Sequence, residues 1–372
     1  MFRNLTVSAI KRLTPQSIAI SFAIPQEFQE EFAYIPGQYI TLKAEVSGQK
    51  ANRAYSLCSS PFSGEALTIG VKQTEGGLVS TYLNNDLNIG DTLQIMKPMG
   101  NFTLKVDSDA SRHIVLIGGG SGITPLLSIA KSVLLKEPNS TVTLLYGNRD
   151  QESIMFSDEL NQLQSQYPAL KVKHVLEQGS EEFKGVLSIE MLEALLSPFV
   201  SDDHAEYYIC GPAPVMSNAE SVLTAHNIPS GRIHREFFTA PISVGDDAES
   251  QEESTEEKQI SVKLYGRSYD ITVNPGETIL EAGIRQQLDP PYACQIAACC
   301  TCRAKLRTGK VHMESREALT DDEIEGLKNF SKLTQSYQRA TKRPEVPIYK
   351  NKWAFIALVI IVLLLLWMMG EL

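Results

Sequence analysis

From residue 113 the chain alternates continuous apolar runs with amphipathic stretches of helical length, and few folds accept that pattern. HIVLIGGG (113–120) precedes SGITPLLSIAKSVLLK (121–136), and TVTLLYGN (141–148) precedes FSDELNQLQSQY (156–167). KVKHVLEQ, a helical stretch around 188–196, and AEYYICGP (205–212) continue the series. Runs without a polar face read as strands buried on both sides, and strands alternating with helices build a parallel sheet. Residues 107–238 are therefore expected to form an α/β domain.

The chain before this unit has a different texture. FAYIPGQYITLKAEV, ALTIGVKQ and DTLQIMKP are short, alternate apolar with polar residues and are punctuated by Gly and Pro. Residues 1–106 thus predict a small antiparallel barrel. The first residues, MFRNLTVSAIKRLTPQS, read as a strand and not a signal peptide, because Lys11 and Arg12 interrupt any apolar run. Residues 239–258 are expected to be a solvated acidic linker, since VGDDAESQEESTEEK contains seven acids and no aromatic residue. A third unit is expected over 259–349, with ISVKLYG and SYDITVN as a hairpin and GETILEAGIRQQ as a helix. Residues 350–372 carry WAFIALVIIVLLLLWMM, seventeen residues without a charge, bracketed by Trp353 and Trp367 and preceded by Lys350 and Lys352. This predicts a C-terminal transmembrane helix, a single-pass anchor that leaves the preceding domains in the cytoplasm. The net charge of −10 argues against a nucleic-acid partner.

Several short motifs carry chemistry. Arg53-Ala54-Tyr55-Ser56 offers a planar fork for a diphosphate, a ring that can stack, and a hydroxyl. In GGLVS (76–80), glycines precede free backbone N–H groups and a hydroxyl, a phosphate cradle. GGGSGITP (118–125) lies between a predicted strand and a predicted helix, where unpaired N–H groups receive a pyrophosphate. Cys210-Gly211-Pro212 follows another strand, at the edge where open α/β sheets bind ligands. By residue type alone Cys210 is equally a small buried hydrophobe. Four of the six cysteines crowd into CQIAACCTC (294–302), and Cys294, Cys299 and Cys302 have the C-x₄-C-x₂-C spacing of a plant-type [2Fe–2S] centre.

In this order, R-x-Y-S, G-G-x-x-S, GGGSGITP, YGNR, CGP and Glu236-Phe237-Phe238, the motifs of residues 1–238 resemble the ferredoxin–NADP⁺ reductase superfamily. The trailing CQIAACCTCRAK resembles the plant-type ferredoxin module fused behind such reductases in oxygenase and desaturase systems. The resemblance implies an FAD-binding barrel, an NAD(P)-binding α/β domain and a β-grasp ferredoxin-like domain. It implies that Arg53 holds the FAD diphosphate, Tyr55 stacks on the isoalloxazine, and Ser56 sits near flavin N5. Gly77, Leu78, Val79 and Ser80 would cradle the FAD phosphates, with Phe238 near the flavin. Gly119, Gly120, Ser121, Gly122 and Thr124 would bind the nicotinamide dinucleotide, with Gly211 and Pro212. Ser56, Cys210 and Glu236 would be the catalytic residues, where hydride passes. Arg149 could pair with a 2′-phosphate and favour NADPH, whereas Asp150 beside it could suit a ribose hydroxyl.

The implied function is an NAD(P)H-dependent flavoprotein oxidoreductase. It would deliver electrons through FAD, and a [2Fe–2S] centre if one is bound, to a membrane-bound oxygenase, desaturase or hydroxylase. The fourth cysteine of the module is missing: the chain reads Leu333-Thr334-Gln335-Ser336, and no cysteine follows Cys302. Three readings stay open at this point. The cluster is lost, it persists with a substitute ligand such as Ser336, Thr334, Tyr337 or Cys300, or the sequence departs locally from the working protein. A cluster-free domain could instead serve for docking or as a metal or redox sensor, since three or four thiolates can also bind Zn²⁺.

Overall fold

The computed structural model describes residues 2–179, 183–238, 256–294, 299–309, 311 and 319. Six strands form the first sheet: β1 (Phe2–Thr14), β2 (Ser17–Ala23), β3 (Tyr39–Val46), β4 (Gln49–Ser56), β5 (Leu67–Lys72) and β6 (Thr92–Met99). They run antiparallel in the order β4-β3-β6-β1-β2-β5. A single bridge from Leu57 to Ile69 brings the two edges together, so the sheet curls into a barrel. Alternate residues point inward: Leu5 and Val7, Ile18, Ile20 and Phe22, Ile40 and Leu42 are all buried in one core. Helix α1 (Leu78–Asn85) closes one side by inserting Val79 and Leu83 into that core.

The second sheet is parallel: β7 (His113–Gly119), β8 (Thr141–Asn148), β9 (Leu170–Leu176), β10 (Phe183–Lys184), β11 (Ala205–Cys210) and β12 (Ile233–Glu236), in the order β10-β9-β8-β7-β11-β12. Helices α2 (Ile123–Lys136), α3 (Ser157–Gln166), α4 (Ile189–Leu196) and α5 (Ala213–Ala225) cover it. The two-residue period of the strands divides the core. Ile114 and Leu116 pack with Leu127 and Val133 of α2, while Val115 and Ile117 pack with Leu192 and Val222 of α4 and α5. The chain moves outward from β7 to β10, then returns to add β11 on the other side of β7. That reversal creates a crevice beyond the carboxyl ends of β7 and β11, the place where doubly wound sheets bind ligands.

Helix α2 is buried along nearly its whole length, because the barrel packs on the face that the sheet does not cover. The polar residues of that face are satisfied across the junction. Ser128 Oγ donates to Ser59 O at 2.6 Å, and Ser60 Oγ meets Ser132 Oγ at 2.8 Å. The buried Lys131 is paired with Glu65 at 3.0 Å and with Glu159.

Further on, β13 (Lys258–Leu264) and β14 (Arg267–Val273) form a hairpin turned by Tyr265 and Gly266, both at positive φ, 50° and 84°. Such two-residue turns match the twist of the flanking strands. Helix α6 (Ile279–Arg285) begins with a capping box between Thr278 and Glu281.

One expectation is corrected. No helix among the described residues is long and apolar enough to cross a membrane. The apolar stretch 353–369 lies outside the described residues, and the expected C-terminal transmembrane helix is not supported by them. The localisation built on it, an anchored chain with its catalytic domains in the cytoplasm, is not supported either.

Candidate functional site

The crevice is shaped by two turns that touch. A Cβ added at Gly122 would lie 2.0 Å from the carbonyl oxygen of Cys210, and one at Gly119 would lie 2.6 Å from Pro212 Cδ. Both glycines are therefore demanded by protein packing: they let the turn after β7 close against the turn after β11. Gly120 is the conformational glycine, with φ +53°. Its carbonyl accepts a hydrogen bond from Tyr146 Oη at 2.9 Å, and the Ser121 carbonyl accepts one from Thr124 Oγ1 at 3.0 Å. No side chain caps the N-terminus of α2 at the crevice; the Ile123 N–H donates to the carbonyls of Gly120 and Ser121, Pro125 has none, and the Thr124 N–H is without a side-chain partner. At the end of β8 the Asn148 amide is buried, and neither its oxygen nor its nitrogen meets a hydrogen-bond partner. An uncapped fourteen-residue helix and an orphaned amide at the same sheet edge fit a dinucleotide.

The barrel supplies the other wall. Tyr55 is partly buried against the barrel core at the end of β4. Arg53 is exposed and gives one N–H to Asn52 O at 2.8 Å. Gly77 caps α1 without a side-chain hydrogen bond. Ser80 Oγ is committed locally, accepting from Thr74 N at 3.1 Å and donating to Gly77 O at 3.3 Å. Val79 points into the core, so only its backbone N–H is available to a ligand. A Cβ at Gly76, φ +68°, would meet open space. An uncapped helix turn beside an aromatic ring and an arginine fork fits a dinucleotide flavin.

The two walls meet at three residues. Ser56 Oγ donates to Glu236 Oε2 at 3.1 Å, linking β4 to β12. Cys210 and Glu236 are register partners across β11 and β12. Burial pushes the Glu236 carboxyl up to about 8 against the opposing Ser56 hydrogen bond, and the Cys299 thiol adds to the rise. Burial likewise pushes the Cys210 thiol well up, with Glu236 adding to it. The expected catalytic residues thus lie together. Phe238, two positions further, is 40% exposed, and Arg149 is exposed and paired with Asp150 at 2.9 Å. Asp150 is engaged in capping the turn at Gln151–Ser153.

Sequence reasoning missed Lys72. Its Nζ lies 3.5 Å from where a Gly120 Cβ would stand, so this barrel residue brings a cation to the glycine turn of the other domain. Its place in the chain, four residues before Gly76, was the available signal.

The cysteine loop holds two of its thiols close together. Cys299 N donates to Cys294 Sγ at 3.3 Å, and the hydrogen bond from Cys294 holds the Cys299 thiol well below its usual range, Thr301 contributing. Cys300 is buried and its Sγ lies 3.4 Å from Tyr39 Oη, turned toward the barrel. Among the described residues no group of three or more His, Cys, Asp or Glu side chains converges on a metal site. The 332–338 stretch lies outside them. The described donors do not make the four-thiolate set of a plant-type cluster.

Family models agree with this layout. The oxidoreductase FAD-binding domain matches residues 4–104, the oxidoreductase NAD-binding domain 116–221, and the 2Fe-2S iron-sulfur cluster binding domain 262–331. The chain is 37% identical over 334 residues to a subunit of the 1,2-phenylacetyl-CoA epoxidase of Escherichia coli, covering 87% of this chain and 92% of that one. It is 35% identical over 335 residues to the ferredoxin reductase component of 3-ketosteroid-9-alpha-monooxygenase from Rhodococcus rhodochrous, covering 86% and 90%. The solved structure of phthalate dioxygenase reductase superposes with a TM-score of 0.56 at 23% identity over 85% of this chain and 92% of that one, a likeness of fold. The chain is an NAD(P)H-dependent flavoprotein oxidoreductase and belongs to the ferredoxin–NADP⁺ reductase superfamily, among the members whose FAD- and NAD-binding domains precede a ferredoxin-type domain.

Proposed function

We propose that this chain is the reductase component of a multicomponent oxygenase, which takes hydride from NAD(P)H at the junction of β4, β11 and β12. The observation that carries this reading is the Ser56–Glu236 hydrogen bond, which joins the two nucleotide-binding domains at the crevice with Cys210 in register beside it. Residues 1–106 bind FAD, 107–238 bind NAD(P)H, 239–258 link them to the third domain, and 259–349 form the ferredoxin-like domain. FAD, when bound, supplies a two-electron acceptor that can release electrons one at a time.

The chain's own residues bind and orient. Arg53 pairs with the flavin diphosphate, the N–H groups of Leu78 and Val79 take its phosphates, and Tyr55 covers its ring. Gly119 to Thr124 and the start of α2 receive the nicotinamide dinucleotide, with Lys72 neutralising its pyrophosphate. Cys210 and Gly211-Pro212 limit the nicotinamide to one position. Ser56 fixes the Glu236 carboxyl, which stays protonated into the neutral range and so holds a proton beside the reacting ring without an opposing charge. Arg149 selects NADPH through its 2′-phosphate once the weak surface pair with Asp150 is exchanged. The reaction proposed ends with electrons leaving the flavin site, since the described thiols do not complete a cluster. The oxygenase partner is inferred from the relatives' names.

Turnover of NADPH with ferricyanide by the full chain tests this reading. A Tyr55→Ala, Ser56→Ala double variant should lose FAD or fall at least a hundredfold in rate. Retained wild-type turnover overturns the assignment.

A further inference from the structure

Tyr39, Thr41 and Lys43 alternate along β3 and therefore share one face of the barrel, and Asn52 is the register partner of Lys43 on β4. Each of the four meets the ferredoxin-type domain. Tyr39 Oη lies 3.0 Å from Thr301 Oγ1, and Cys300 N donates to it at 3.2 Å. Thr41 Oγ1 lies 3.3 Å from Thr301 Oγ1, Lys43 Nζ lies 3.4 Å from Asp289 Oδ1, and Asn52 Nδ2 donates to Tyr292 O at 3.0 Å. Tyr39, Thr41, Asn52, Cys300 and Thr301 are all buried, with Thr41 at 0% and Thr301 at 4% exposure. Buried hydroxyls and amides are costly unless paired, so this face suits one polar complement and disfavours apolar ones. The Tyr39 ring is also wedged: a Cβ at Gly100 would come within 3.1 Å of Tyr39 Cδ1.

The position of the face matters. Tyr39 is the register partner of Ser56, the residue that binds Glu236. Thr301 in turn lies 3.4 Å from Cys299 Sγ. One hydroxyl pair thus separates the strand end at the flavin site from the cysteine loop.

We propose that the β3–β4 face bearing Tyr39, Thr41, Lys43 and Asn52 is a built-in docking site for the cysteine loop of the chain's own ferredoxin-type domain, latched by Tyr39 and Thr301. Cys300 is then a docking residue, its thiol committed to the barrel rather than to a metal. The latch also occupies the Cys300–Thr301 face of the loop, so a protein acceptor seeking that face must first displace Tyr39. The inference extends the reductase reading but does not rest on a bound cluster.

Hydrogen–deuterium exchange of the full chain tests it. Tyr39→Phe removes the hydroxyl and keeps the ring, Thr301→Val removes its partner, and Thr301→Ser keeps a hydroxyl. The peptide spanning 299–303 should exchange at least tenfold faster in Tyr39→Phe and Thr301→Val and within twofold of wild type in Thr301→Ser. The β2 peptide of the barrel should not change, and NADPH–ferricyanide turnover should stay within twofold. Equal exchange of 299–303 in wild type, Tyr39→Phe and Thr301→Val overturns the latch. If Tyr39→Phe also loosens β2, it has disturbed the barrel, and Thr301→Val alone decides. Absence of turnover in wild type would sink the reductase reading and leave the exchange comparison to judge the latch.

Discussion

Ser56 and Glu236, 180 residues apart, are joined by a 3.1 Å hydrogen bond that ties the last residue of β4 in the barrel to the last residue of β12 in the parallel sheet. A half-buried carboxyl held by one hydroxyl is a costly arrangement for an anion and an easy one for a neutral acid. The carboxyl at the domain junction is therefore favoured in its protonated form.

Glu236 gives the stability a definite pH slope. In the folded chain its carboxyl holds a proton up to about pH 8, against an ordinary value of 4.5. Between those limits the native state binds more protons than the unfolded chain, so this residue's contribution to stability falls as pH rises. Below the lower limit both states are protonated, so the slope vanishes and the contribution is fully present. Melting curves of wild type and Glu236→Gln across this window should show a wild-type Tm falling with pH relative to the variant. A pH-independent difference between the two would reject the assignment.

Gly122 and Gly231 should respond unequally to alanine. At Gly122 the new methyl meets the Cys210 carbonyl at 2.0 Å, whereas at Gly231 it meets nothing within 4 Å. Overpacking against backbone costs about 1–3 kcal/mol. Denaturant unfolding should show that loss for Gly122→Ala, together with weaker NAD(P)H binding, and little change for Gly231→Ala.

Lys72 acts through charge at the glycine turn. Lys72→Gln should raise the KM for NADPH about tenfold, equivalent to about 1.4 kcal/mol, with flavin content unchanged. The rise in KM with salt should be shallower in the variant than in wild type. An unchanged KM would remove Lys72 from the site.

Arg149 decides between the two nicotinamide nucleotides. Arg149→Ala should shift the ratio of kcat/KM for NADPH over NADH by at least tenfold toward NADH. A wild-type ratio below one would reject its proposed role.

The α/β domain was legible because buried parallel strands read as continuous apolar runs, and β7, β8 and β11 coincide with HIVLIGG, TVTLLYGN and AEYYIC. The barrel was legible from period-two alternation and Gly/Pro punctuation in the stretches that form β3, β5 and β6. What escaped depends on contacts distant in sequence. Gly119 and Gly122 read as a phosphate cradle, while their packing role against residues 210–212 emerges only once β11 lies beside β7. Lys72 gains meaning when the barrel seats on α2. Thr301 and Tyr39 are 262 residues apart, and no local pattern pairs them. The C-terminal apolar run was read from hydropathy alone; it lies outside the described residues, and no helix among those is long and apolar enough to cross a membrane.

The most direct measurement is the visible absorbance of the purified full chain as NADPH is added without oxygen. A bound flavin whose absorbance bleaches with one equivalent of NADPH per flavin is the predicted result. A chain that purifies without flavin, or whose flavin absorbance is unchanged by excess NADPH and NADH, contradicts the account.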